Sequence, residues 1–260
     1  MQQSNLYIVI FTAIMTIIVG GALSLTSIVL GPAQKRSIEL DTKSQILNAV
    51  TDKVKIDKGT DILALYDKRI SSLVVDFNGN EITKDEKGNP IVAENVDILR
   101  NFKRAAADRQ YPIFRLMNDN NPEEVEAYIL PVYGNGLWDR IWGYVALDPE
   151  FQTILGVAFG HKAETPGLGQ RIETPEIQNR FKGKKIFDEE GKLVSVTMVK
   201  GEAGGGGEGS IKMFQERPHQ VDGLSGATLT AVGVNKMLET YLSAYKNYFN
   251  KLNAEKISAL

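Results

Sequence analysis

The run Asp222-Gly223-Leu224-Ser225-Gly226-Ala227-Thr228-Leu229-Thr230 places three hydroxyls and two glycines directly before a long stretch of helical periodicity. A turn of this kind at a helix N-terminus offers unpaired main-chain N–H groups and the positive end of the helix dipole, and glycine lets a bulky group approach the backbone. The chemistry expected there is the binding of a phosphorylated ligand near Thr228. Capping of the helix by Ser225 or Thr230 would use the same hydroxyls without a ligand. A second loop, Glu164-Thr165-Pro166-Gly167-Leu168-Gly169, combines a rigid proline with glycines that permit close approach.

Composition narrows the remaining chemistries. The chain has no cysteine, which removes thiolate metal sites, iron–sulfur clusters, disulfides and thiol catalysis. Its two histidines, His161 and His219, stand at no metal-ligand spacing, and no metal site is expected. A net charge of -2 with dispersed basic residues argues against a nucleic-acid partner. No G-x-G-x-x-G follows a strand, so direct hydride exchange with a dinucleotide is not expected. The glycine run in Ala203–Ser210 lacks the Lys and hydroxyl pair of a phosphate loop and reads as a flexible loop. No catalytic side chain is expected.

The elements that must position these loops are legible in outline. Val234, Leu238, Tyr241, Leu242, Tyr245 and Phe249 recur at three- and four-residue intervals, one buried face of a helix that starts near Leu229. Phe114–Met117, Val125–Tyr133, Trp142–Leu147 and Phe151–Phe159 are rich in β-branched and aromatic residues and predict strands. Leu73-Val74-Val75-Asp76-Phe77 before Asn78-Gly79 predicts a hairpin, and Ile186–Val194 a turn between strands, the second continuing to Val199. Glu173–Phe181 predicts a short helix with Pro175 in its first turn. At 260 residues, 43% of them hydrophobic, the chain can bury a sizeable core. The pattern predicts an α+β fold.

Leu6 to Leu30 forms 25 residues without a charge, and the first charged side chain is Lys35. A span of about 20 apolar residues crosses a bilayer as a helix. A cleaved signal peptide has a basic start and a shorter apolar core, whereas Met1-Gln2-Gln3-Ser4-Asn5 carries no basic side chain. A retained, single N-terminal transmembrane helix is therefore expected. The expected organisation is an anchor over 1–32, a connecting helix and linker over 33–56 after Gly31-Pro32, with Asp41-Thr42-Lys43 as a cap or break, an accessory β-containing lobe over 57–132, and a ligand-binding domain over 133–260.

Ser225-Gly226-Ala227-Thr228 resembles the S/T-G-A-T signature of proteins that carry FMN esterified through its phosphate to the last threonine, and Glu164–Gly169 resembles the second FMN-binding motif of that family. With the anchor, the length and the order of the two runs, the chain resembles the C-subunit family of the Na+-translocating NADH:quinone oxidoreductases. The related alternative is the G-subunit of Rnf-type complexes. A shorter segment between anchor and flavin motifs is expected there than the stretch from Asp41 to Tyr133. The rival from another class is a membrane-anchored binding or assembly module in which Thr228 only caps a helix.

The resemblance implies a mixed α/β FMN-binding domain holding one covalent FMN per chain on Thr228, with phosphate contacts from Ser225, Gly226 and Ala227. It also implies a ring pocket from Thr165, Gly167, Leu168 and Gly169, with Glu164 toward the ribityl or ring N–H, although an exposed carboxylate is an equally good reading of a single Glu. Tyr133-Gly134-Asn135-Gly136-Leu137-Trp138 resembles the family's pattern too, with Trp138 over the flavin face, although core or interface is the commoner place for a tryptophan. Implied partners are the other subunits of a membrane redox complex, a Mg-dependent flavin transferase that uses FAD, and the lipid bilayer. The implied location is the bacterial inner membrane with the domain on the periplasmic face. Lys35 and Arg36, which flank the anchor on its C-terminal side, would by charge alone favour the cytoplasm.

Overall fold

The computed structural model describes residues 4–85 and 87–258; the first three residues of the expected anchor and the last two of the expected 133–260 segment lie outside the described residues. In chain order the elements are α1 (Asn5–Asn48), α2 (Ile62–Arg69), β1 (Ile70–Val75), α3 (Ile98–Phe102), β2 (Tyr111–Met117), β3 (Val125–Asn135), β4 (Arg140–Leu147), β5 (Ile154–His161), α4 (Pro175–Gln178), β6 (Thr197–Met198), α5 (Gly207–Met213), β7 (Gln220–Val221) and α6 (Thr228–Ser258). The chain divides into two compact units, Met1–Lys43 and Ser44–Leu260.

The first unit is helical. Among the described residues α1 is the one helix long and apolar enough to cross a membrane. Its Thr12, Thr16 and Thr26 hydroxyls donate to the carbonyls four residues back at 2.7, 2.8 and 2.8 Å, so they present no unpaired donor to an apolar surrounding. The sequence suggests a junction at Gly31-Pro32 and a break at Asp41–Lys43. The helix instead continues through both, with Pro32 inside it and Lys43 paired to Glu39 at 3.0 Å one turn back. Proline gives up one backbone hydrogen bond, which a helix of 44 residues accommodates.

The second unit is built on an antiparallel five-stranded sheet in the order β1-β2-β3-β4-β5, with a separate parallel pair β6-β7. This is the α+β architecture that the strand and helix patterns predict. Alternation along the strands sends Tyr128, Leu130, Val132, Val145 and Leu147 into one core, and Ala127, Ile129, Tyr144 and Ala146 into another on the opposite face. Both faces are covered, which is why β3 is nearly continuously apolar.

The Asn78-Gly79 turn forms, with Gly79 at φ +76° and the Asp76 carboxylate accepting from Asn80 N at 2.8 Å. Its return arm makes only the bridge Val75↔Glu81, and the ladder partner of β1 is β2. The strand predicted over Phe151–Phe159 begins later, at Ile154, because Phe151 sits in a turn at φ +59°. The helix predicted over Glu173–Phe181 is resolved into 3-10 turns at Gly169–Glu173 and Asn179–Phe181 around α4, with Pro175 at its start.

Helix α6 lies on the first core with Ala231, Val234, Met237, Leu238, Tyr241, Leu242, Tyr245 and Phe249 buried. Its Tyr245 hydroxyl is shared between the carbonyls of Pro112 and Pro131 at 2.9 and 3.2 Å, and Phe249 stacks on Phe151 with centroids 4.1 Å apart. Close approach at the other end needs glycine: a Cβ on Gly134 would lie 2.9 Å from Met237 Cβ, and one on Gly233 would strike the Asn135 carbonyl. The first turns of α6 are thereby pressed against the end of β3. Phe249→Ala is expected to destabilise this unit by about 3–5 kcal/mol through the cavity left beside Phe151, measured as a lowered urea midpoint of the detergent-solubilised chain.

Candidate functional site

Three segments far apart in sequence converge at the start of α6. A Cβ placed on Gly226, which stands at φ +71°, would lie 2.9 Å from Leu168 Cδ2. One on Gly169 would lie 2.6 Å from Thr230 Oγ1 and would also strike the Glu164 carboxylate. The Trp138 N–H donates to Glu164 Oε1 at 3.0 Å and its indole Nε1–H donates to Thr165 Oγ1 at 3.0 Å. Glu164–Gly169, Ser225–Thr230 and the 135–138 loop therefore make one site, held from below by the close packing of α6 on β3.

Thr228 is the first residue of α6 and is partly exposed, while Ser225 and Gly226 are exposed. Among the described residues no group accepts a hydrogen bond from the main-chain N–H of Ser225, Gly226, Thr228 or Leu229. Four free donors at the positive end of a 31-residue helix form a seat for an oxyanion. Ala227, named with them in the sequence analysis, is buried and donates to the Leu224 carbonyl at 3.4 Å. The Thr230 hydroxyl is likewise engaged, donating to Glu164 Oε2 at 2.6 Å, so Ser225 and Thr228 keep the accessible hydroxyls.

Apolar surface surrounds this seat. Trp138 is 69% exposed and so is not a core residue, and Leu137, Leu168, Leu229 and Val232 are exposed beside it in the site or along α6. A groove of about 320 Å³ opens next to Leu229, floored by Tyr133 and Met237 and edged by Leu137, Val232 and Lys236. Gly167 stands at φ +73° with open space around it. An oxyanion seat bordered by apolar and aromatic surface suits a phosphate ester of a large planar ring, and the chemistry of the FMN phosphate and isoalloxazine fits this donor set. Of the two histidines, His219 Nδ1 bonds the Lys185 carbonyl at 2.8 Å, and His161 Nδ1 accepts from Glu164 N at 3.2 Å at the edge of the site.

The backbone leading into Ser225 is fixed by groups that the sequence pattern does not single out. Arg180, 2% exposed, donates through one terminal nitrogen to the carbonyls of Asp222 and Gly223 at 3.3 and 2.6 Å, and through the other terminal nitrogen to Glu176 and Glu202 at 2.8 and 2.6 Å. Arg171 closes the cluster on Glu202 at 2.7 and 2.9 Å. Asp222 is fully buried and accepts from Ala203 N, Gly204 N and the Ser210 hydroxyl at 2.9, 2.8 and 2.5 Å. The glycine run expected to be a flexible loop is thus wrapped around a carboxylate and enters α5. Gly223 is wedged against the carbonyls of Val199 and Gly201, where no Cβ fits. Only the i, i+4 spacing of Glu176 and Arg180 could have flagged part of this cluster.

The chain is similar to known proteins in sequence and in fold. The family model for the FMN-binding domain matches residues 136–243, which contain both motifs. The C-subunit of the Na+-translocating NADH-quinone reductase of Vibrio vulnificus is 34% identical over 222 residues, covering 80% of this chain and 79% of that protein. The protein of the same name from Neisseria meningitidis is 32% identical over 255 residues, covering 93% and 90%. Among solved structures, that of the C-subunit from Parabacteroides distasonis superposes with a TM-score of 0.66 at 34% identity, covering 85% of this chain and 96% of that one. NqrC of Shewanella oneidensis superposes with a TM-score of 0.65 at 28% identity, covering 83% and 98%.

The Arg171 and Arg180 guanidiniums, Arg171 first, hold the Glu202 carboxyl down from 4.5 to about 2. A depressed carboxylate stabilises the fold above its ordinary value, and that stabilisation is lost as pH falls from about 4.5 toward 2. Glu202→Gln should lower stability at pH 7, since it leaves Glu176 as the one carboxylate shared by the two guanidiniums, and should flatten the acid limb between pH 4.5 and 2. Denaturant midpoints followed by circular dichroism across that range would check both effects.

Proposed function

The chain belongs to the C-subunit family of the Na+-translocating NADH-quinone reductases, and on that premise we propose that it carries FMN through a phosphoester to Thr228 and relays electrons within that membrane complex. The observation that carries the attachment is the meeting of Leu168 with Gly226, and of Glu164 with Thr230, around four free main-chain donors and an accessible threonine hydroxyl. FMN, when bound, supplies one- and two-electron transfer to its ring. Everything else is the work of the chain.

In this reading the Ser225, Gly226, Thr228 and Leu229 N–H groups face the phosphodiester, whose single negative charge suits the helix terminus. Ala227 contributes its small size, which lets the turn close under Thr228. Leu168 and Trp138 flank the ring, and Thr165, Gly167 and Gly169 bring backbone to its polar edge. Glu164 belongs to the cofactor site through its bonds to Trp138 and Thr230. One FMN is held per chain.

Attachment is the work of a separate transferase, as the resemblance implies; among the described residues no cluster of carboxylates able to hold a metal is present. In that transfer the Thr228 hydroxyl, giving up its proton to the transferase, would bond to the FMN phosphorus of FAD as the phosphoanhydride breaks and AMP leaves. Helix α1 anchors the protein in the lipid of the inner membrane as a single span, with the flavin domain on the periplasmic side. Donor and acceptor are other subunits of the complex. Sodium passes elsewhere, since one span whose threonines are internally bonded offers no ion path.

The test is denaturing electrophoresis of the chain co-expressed with the flavin transferase and viewed under ultraviolet light. The wild type is expected to give a fluorescent band and Thr228→Ala none. A dark wild-type band would leave Thr228 as a helix cap in a binding or assembly module.

A further inference from the structure

Glu164 is 4% exposed, yet it is bonded to the first turn of α6, where the proposed phosphate seat lies. Its Oε1 accepts from Trp138 N at 3.0 Å and its Oε2 from the Thr230 hydroxyl at 2.6 Å, while its own N–H donates to His161 Nδ1 at 3.2 Å. Among the described residues neither Lys nor Arg makes an ion pair with it; the nearby cations Lys162 and Arg171 are paired to Asp139, and to Glu176 and Glu202. Gly136 and Gly169 press on the two carboxylate oxygens so closely that neither could carry a Cβ. Glu164 is thus a carboxylate without a counter-ion, shut away from water, whose position is fixed from four sides.

A charge so placed has two effects on a ring lying nearby. Through Oε1 it fixes the loop that presents Trp138, and through Oε2 it fixes the first turn of α6, two residues beyond Thr228. A fixed negative charge in a medium of reduced dielectric also opposes added electrons much more strongly than it would in water. Both oxygens are already occupied by protein donors, so these effects do not need a contact between Glu164 and the ligand.

We propose that Glu164 is a positioning residue of the flavin site, which locks Trp138 to the start of α6 and lowers the midpoint potential of the bound flavin. The inference rests on FMN being carried at Thr228. It assigns the electrostatic setting of the cofactor to a residue outside the ring pocket. His161 acts one step further out, as the acceptor that orients the Glu164 backbone.

The test uses the full-length chain, flavinylated by co-expression with the transferase, in a Trp142→Phe background that leaves Trp138 as the one tryptophan of the two. Glu164→Gln is expected to keep the in-gel flavin fluorescence, raise the midpoint potential in a redox titration, and reduce the quenching of Trp138 emission by the flavin. Thr230→Val keeps the charge and removes one tie. It is expected to reduce the quenching without raising the potential. An unchanged potential in fluorescent Glu164→Gln overturns the electrostatic role. Quenching equal to wild type in Thr230→Val overturns the positioning role, even where Glu164→Gln does not accumulate. A wild-type chain without the fluorescent band removes the premise itself, an outcome distinct from both.

Discussion

The grip of the Arg180 guanidinium on the carbonyls of Asp222 and Gly223 is the constraint on which the rest of the site depends. Two main-chain carbonyls at the end of the 220–223 segment would be costly to bury alone. Arg180 satisfies them, and two glutamates accept from its second terminal nitrogen. One of these, Glu176, also accepts from Gly207 N at 3.0 Å, so the same charge cluster fixes the start of α5. A buried ion cluster is weak evidence of net stability. What it provides is definition: one path for the backbone into Ser225.

From there the structure divides labour between rigid and open parts. Asp222, Gly223 and Leu224 are buried, Ser225 and Gly226 are exposed, and Ala227 returns to the core. The exposed portion is short and its two ends are anchored, which keeps the free N–H groups pointed outward without leaving the loop to wander. The apolar residues beside it are the reverse of a stable surface, since Trp138, Leu168, Leu229 and Val232 are left uncovered by the chain itself. A ring held at Thr228 and a neighbouring subunit are the two things that this surface suits.

Local pattern foretold what local physics determines. The α6 face follows a 3.6-residue period, the core strands are rich in β-branched and aromatic residues, and Asn78-Gly79 makes its turn because glycine reaches φ +76° without strain. The two motifs were readable because their residue types state a requirement: small residues where backbone must approach, hydroxyls where an ester could form. What stayed hidden is long-range pairing of charges. Glutamate defaults to solvent, so nothing near Glu164 announces its burial against Thr230, 66 residues away. Arg180 and Glu202 are separated by 22 residues with no period to join them. A glycine run signals only permissiveness, and the carboxylate of Asp222 that orders it lies outside the run. The ladder of β1 with β2 was obscured in the same way, since a strong local turn drew the expected partner to the wrong side.

The seating of α6 has a consequence for rate. Electron tunnelling decays steeply with distance, so a carrier whose perch drifts by an ångström or two delivers a spread of rates instead of one. The helix that begins at Thr228 is clamped near its start by Gly233 against Asn135 and further along by Tyr245 bonding to Pro112 and Pro131. Its first residue therefore has little play relative to the sheet. With FMN attached as proposed, whatever displacement a turnover requires would fall to the ring about its tether or to the domain as a whole, and the threonine would act as a fixed pivot.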